Sequence, residues 1–182
     1  VWLTKKLGVF TMTLKLMTWN IFMGGGSPRG LLSHIWGYVH LTIRSRKDRK
    51  TIPKIARFIA SEAPHIVGLQ EVDEGSKRNG YYNHVEELQK PNGVSNACFK
   101  AGRAAWGRYN DGVALLSSLP IKESTGSLLP YIYEKRGLIQ AKISYQNKNI
   151  AVFVTHLAAH PHNIRLRKKQ MSAVIKRIKK VD

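Results

Sequence analysis

Three apolar runs in this chain each end on a side chain able to do chemistry. The string Ile66-Val67-Gly68-Leu69-Gln70-Glu71 ends on a carboxylate, residues 14–20 end on the amide of Asn20, and residues 150–156 end on the imidazole of His156. Cleaving a phosphoester requires that charge on the phosphoryl oxygens be neutralised, a water be aligned and the leaving oxygen be stabilised. Glu71 suits the first task, because Mg2+ takes one or two carboxylates and fills its other positions with waters and substrate phosphate. The Asn20 amide suits orienting that carboxylate, binding the metal or donating to a phosphate oxygen. His156 suits charge stabilisation or proton transfer near neutral pH. Each alone has a plainer explanation as a cap, a turn former or a structural histidine. Their shared placement points to a metal-assisted phosphoester site with Mg2+, or Mn2+ in its place.

The runs that carry them read as strands. Residues 14–18 and 66–69 are mostly apolar, as strands buried on both faces should be. Between them, residues 23–50 open on a Gly-rich breaker, continue through an apolar, aromatic stretch at 31–41 and close on a basic run at 44–50. A loop of that length is a lid or a binding segment, or else hides a short core helix. Thr51 then reads as an N-cap, with Pro53 in the first turn and Ile52, Ile55, Ala56 and Ile59 at helical spacing until Pro64. Residues 81–88 suggest a short helix. Strands follow at 112–117, 121–128, 137–145 and 149–156, with a hairpin turn at 145–149. A last helix at 163–181 repeats Met171, Val174, Ile175 and Ile178 at i, i+3, i+4, i+7, which predicts that this stripe faces the core. Residues 1–13 read as an N-terminal appendage, with Met12 a plausible start, and 14–182 as one domain. Helices alternating with strands make the class α/β.

Composition limits the partners. Thirty Lys and Arg against eleven Asp and Glu give the 182 residues a formal charge of +19. Such a field favours polyanions, with nucleic acid first and anionic lipid second. The single cysteine, Cys98, rules out an intrachain disulfide and a cysteine-based zinc site. No apolar run reaches the ~20 residues that span a bilayer. With no signal-peptide pattern, these features fit a cytoplasmic setting.

The wording of four segments is familiar. Met17-Thr18-Trp19-Asn20-Ile21, Pro64 to Asp73 around Leu69-Gln70-Glu71, Asp111-Gly112-Val113-Ala114-Leu115-Leu116-Ser117 and Val154-Thr155-His156-Leu157 occur in that order. Together they resemble the endonuclease/exonuclease/phosphatase superfamily, the deoxyribonuclease I-like proteins, over nearly the whole chain. The resemblance implies a four-layer α/β/β/α sandwich with a site where the two sheets open. It makes Glu71 a Mg2+ ligand with Asn20 as its partner, Arg136 a residue near the substrate phosphate, and His156 a group assisting the phosphate or the leaving group. Arg167 and Gln170 match a spacing that is read as structural.

The chain also departs from that pattern. It contains neither the Gly-Asp-x-Asn element nor the Asp-His pair that members carry later. An incomplete second sheet is therefore expected, as is inactivity of the 182 residues alone. Asp73 is expected in a loop beside the site and Asp111 in a turn. Three functions follow: a Mg2+-dependent nuclease-type hydrolase, a phospholipid or phosphoinositide hydrolase using the 31–41 segment at an interface, and a catalytically dead basic module that binds nucleic acid.

Overall fold

The computed structural model describes residues 13–25, 47–91, 93–105, 109–159 and 161–181. The expected N-terminal appendage up to residue 12, the aromatic stretch at 31–41 and basic residues 44–46 lie outside these. The described elements are β1 (Leu16–Asn20), α1 (Asp48–Glu62), β2 (Ile66–Asp73), α2 (His84–Gln89), β3 (Asn96–Ala105), β4 (Tyr109–Ser117), β5 (Ile121–Leu128), β6 (Gly137–Tyr145), β7 (Lys148–Thr155) and α3 (Ile164–Ile178). Short 3-10 turns stand at Phe22–Gly24, Lys77–Asn79 and Pro161–Asn163.

Two sheets form the middle of the molecule. The first has strand order β1-β2-β4-β3, with β1 parallel to β2 and the other pairs antiparallel. The second is the antiparallel set β5-β6-β7. Alternating side chains on β2 sort the layers. Val67 and Leu69 pack with Ile52, Ile55 and Ile59 of α1 and Val85 and Leu88 of α2. Ile66 faces the other way, into a second core with Val113, Leu115, Ile139, Ile143 and Val154 between the sheets. Leu129, Leu138 and Val174 of α3 form a third cluster on the far side. The architecture is thus α/β/β/α, with three described strands in the second sheet. No described helix is long and apolar enough to cross a membrane.

Beside Glu71 and His156 the sheets approach closely at Gly68. A Cβ on Gly68 of β2 would lie 3.3 Å and 3.4 Å from the two γ-methyls of Val154 on β7. Glu71 lies three residues after Gly68, and His156 two after Val154, so this contact bears on the separation of the sheets where those two residues meet. Gly68→Leu is expected to overpack the contact and cost about 1–3 kcal/mol in urea unfolding. An unchanged midpoint would show that the sheets do not close here.

Several local expectations are corrected. The first helix begins at Asp48 rather than Thr51, whose hydroxyl instead donates to Lys47 O at 3.1 Å. Asp48 has a reason to be there: its carboxylate accepts from Arg49 N and meets His84 Nε2 at 3.1 Å. Asp73 is the last residue of β2, fully buried, and takes hydrogen bonds from Ser76 and Arg78. Asp111 lies within β4 and is likewise buried. On α3 the buried residues are Leu166, Gln170 and Val174, whereas Met171, Ile175 and Ile178 are exposed. The helix is turned by Gln170, which accepts from Ala158 N and donates to Pro130 O, both at 2.9 Å. An amide in the buried stripe hides that stripe from a hydrophobic pattern.

Candidate active site

Asn20 and Glu71 are neighbours because β1 and β2 run parallel, with Asn20 opposite Gln70. Strict alternation would send the residue after Gln70 toward the helices, with Val67 and Leu69. A β-bulge prevents this. The register with β4 passes from Gln70↔Val113 to Val72↔Gly112 and leaves Glu71 unpaired. Its φ of 55° is left-handed, an uncommon state for a residue with a Cβ. Val72 then resumes the helix-facing position in the core. Glu71 is therefore not at a strand end: it is the extra residue in a strand that continues to Asp73. His84 holds the downstream side, its Nδ1 accepting from Asp73 N at 3.2 Å.

The amide of Asn20 is oriented without ambiguity. Its Oδ1 accepts from Phe22 N at 2.9 Å, so the other end, Nδ2, must face Glu71, donating to Oε1 at 3.1 Å. A backbone N–H can only donate, which fixes the flip. Glu71 thus has one oxygen engaged by a neutral donor.

The second sheet supplies the opposite wall. His156 directly follows β7, and its Nδ1 lies 3.9 Å from Glu71 Oε1. That pair is not an ion pair. Arg136 Nη1 donates to the same Nδ1 at 2.9 Å, so the ring proton belongs on Nε2. Burial, then the Arg136 and Arg103 guanidiniums, push the imidazole pKa down to about 4, and the ring is neutral at pH 7. It is a hydrogen-bond donor through Nε2 rather than a cation.

Arg136 is buried, and its guanidinium does more than hold His156. Nη2 donates to Glu134 at 2.8 Å, and Glu134 in turn meets Arg103 Nη1 at 3.3 Å. Arg103 grips Asp111 with Nε and Nη2, at 3.0–3.2 Å. Burial works against the charge on Arg103, but Asp111, Glu134 and Glu71 outweigh it and leave its pKa raised. Arg136 Nε is buried and has no partner among the described residues. A chain of alternating charge therefore runs from Asp111 on β4 across to His156 beside the carboxylate of Glu71.

Of the residues singled out from sequence, Asn20, Glu71, Arg136 and His156 converge here. Arg167 and Gln170 stand behind them and hold the segment after His156, through Ala158 O and Ala158 N. Arg103, Asp111 and Glu134 were not foreseen as members. The signal for Arg103 lay in the preceding glycine: a Cβ on Gly102 would sit 2.9 Å from Lys135 O, so β3 is kept small where the loop bearing Arg136 crosses it.

Among the described residues no three His, Cys, Asp or Glu side chains gather tightly enough to hold a metal alone. Glu71 with Asn20 still fits a hydrated Mg2+, which needs few protein ligands and takes waters and phosphate for the rest.

Similar folds are known. The crystal structure of an endonuclease/exonuclease/phosphatase from Beutenbergia cavernae DSM 12333 matches 93% of this chain and 44% of its own, at 21% identity and a TM-score of 0.67. A humanized D. rerio TDP2 matches 92% and 56%, at 18% identity and a TM-score of 0.61. D. rerio TDP2 complexed with a single-strand DNA product matches 72% and 48%, at 19% identity and a TM-score of 0.56. The chain spans about half the length of the solved structures it matches. No curated protein matches its sequence. The Endonuclease/Exonuclease/phosphatase family model matches residues 17–178, a span that runs from within β1 to the end of α3, and the chain belongs to that family.

Proposed function

We propose that this chain carries the metal- and phosphate-holding side of a Mg2+-dependent phosphoester hydrolase centre, and that its substrate is nucleic acid. The observation that carries this is the opposition of two walls. A carboxylate held by an amide on one sheet faces a guanidinium–imidazole pair on the other. Glu71 would hold the ion, and Asn20 would orient its carboxylate. Bound there, Mg2+ or Mn2+ supplies neutralisation of charge on the phosphoryl oxygens. Arg136 holds His156 so that Nε2–H is free to donate to a phosphate oxygen, and the buried Arg136 Nε is an unsatisfied donor that an anion's oxygen would relieve.

The choice of nucleic acid is supported by the charge of +19 and by the exposed cations of α3, among them Arg165, Lys168, Lys169 and Lys176. One family relative is solved with single-strand DNA. Among the described residues, His156 Nδ1 is occupied by Arg136, and Asp73 and Asp111 are committed to Arg78 and Arg103. Because the sequence has neither the Gly-Asp-x-Asn nor the Asp-His element, the 182 residues alone are expected to bind rather than turn over substrate.

Anisotropy of a labelled oligonucleotide, with and without Mg2+, tests this. The ion should tighten binding, and EDTA should reverse the effect. Asn20→Ala should weaken Mn2+ affinity, read by paramagnetic resonance, about 10- to 100-fold, because the carboxylate loses its orienting donor. Binding indifferent to both the ion and this substitution would leave a basic module without a metal centre.

A further inference from the structure

We propose that the tip of the β5–β6 loop, Tyr131-Ile132-Tyr133, is a stacking platform for the unpaired bases of a single-stranded nucleic acid. The proposal rests on reading the neighbouring site as one that acts on nucleic acid, and it specifies the form of that substrate. Three consecutive large apolar residues are exposed here, at 47%, 64% and 97%. A turn needs none of them, and single exposed apolar residues are ordinary where a run of three is not.

The loop beneath this tip is held firmly. Leu129 is buried, and its N–H donates to Arg136 O at 2.9 Å, closing the loop on itself. Pro130 O is held by the buried Gln170 of α3. Glu134, next after Tyr133, is tied to Arg103 and Arg136. The stem of the aromatic tip is therefore tied to Arg136, the residue that holds His156.

Its surroundings select the ligand. The Lys135 ammonium lies 5.4 Å from the centre of the Tyr131 ring, and Tyr133 is almost wholly exposed. Cations track a phosphate backbone, and an open phenol ring accepts the flat face of any base. A duplex hides those faces inside its stack, so only unpaired nucleotides can use the platform. The scissile phosphate at Arg136 and His156 would then be flanked by a base resting on the loop.

The test uses the 182-residue chain and three labelled ligands: a single strand, the same strand built of abasic nucleotides, and a duplex. The double variant Tyr131→Ala/Tyr133→Ala should bind the ordinary strand about tenfold more weakly, since each stacked base contributes substantially. It should bind the abasic strand and the duplex as the native chain does. The salt dependence should be unchanged, because no cation is lost. Tyr133→Phe should retain native affinity, as the ring and not the hydroxyl is used. Equal losses for ordinary and abasic strands, or no loss at all, would overturn the platform while leaving the nucleic-acid site standing. A loss confined to phosphatidylserine vesicles would assign the loop to lipid and overturn it too. Failure of the native chain to bind any of the three ligands would remove the underlying reading of the site, and the platform with it.

Discussion

Glu71→Gln is expected to bind an oligonucleotide equally well in Mg2+ and in EDTA, erasing the stimulation by the ion. Gln keeps the shape and can still accept from Asn20, but it has lost the charge that competes with water for a hard cation. A second pair of variants separates this chemical role from the backbone that carries it. At φ 55° an alanine retains the strain of a left-handed Cβ, whereas a glycine does not. Glu71→Gly should therefore be more stable than Glu71→Ala by about 1 kcal/mol in urea unfolding, although both lose the metal. Equal stabilities would mean that β2 is not bulged at this residue in solution. Sustained stimulation by Mg2+ in Glu71→Gln would move the ion elsewhere.

Arg136→Ala should be the most destabilising single change at the site. Removing one partner of a buried ion pair costs about 3–5 kcal/mol. Here Glu134 is partly solvated and keeps Arg103, so the loss should fall at the lower end, about 3 kcal/mol. The same truncation frees His156 Nδ1 and removes the buried Nε. Arg136→Lys keeps the charge but cannot serve His156 and Glu134 together through a planar fork, and should recover only part of the stability. A double-mutant cycle with Glu134→Gln measures the coupling directly. A coupling near zero would mean that the guanidinium is held by packing alone.

The sequence picked out four residues that the structure brings together, but not the scaffold between them. Asn20, Glu71 and His156 were singled out because each closes an apolar run with strong strand character, and Arg136 through the family resemblance alone. The bulge was not, since Gln70-Glu71-Val72 contains no glycine to announce a left-handed residue. β3 was missed for a related reason: Ala97, Ala101 and Gly102 are poor strand formers, and Gly102 is kept small by its crowding at Lys135 rather than by propensity. The buried face of α3 was misassigned because Gln170 outweighs, through two hydrogen bonds, three apolar residues that lie on the solvent side. Local pattern reports what a residue prefers; these cases were decided by groups far away in the chain.

The exposed stripe of α3 has a colloidal consequence. Met171, Ile175 and Ile178 offer copies of the chain a sticky surface, and the charge of +19 keeps those copies apart. Repulsion of that kind reaches about 10 Å at 0.1 M salt and about 3 Å at 1 M. Dispersal of this protein is thus an electrolyte-dependent property: dilute buffer or a polyanion-free column preserves it, while added salt lets neighbouring helices find one another.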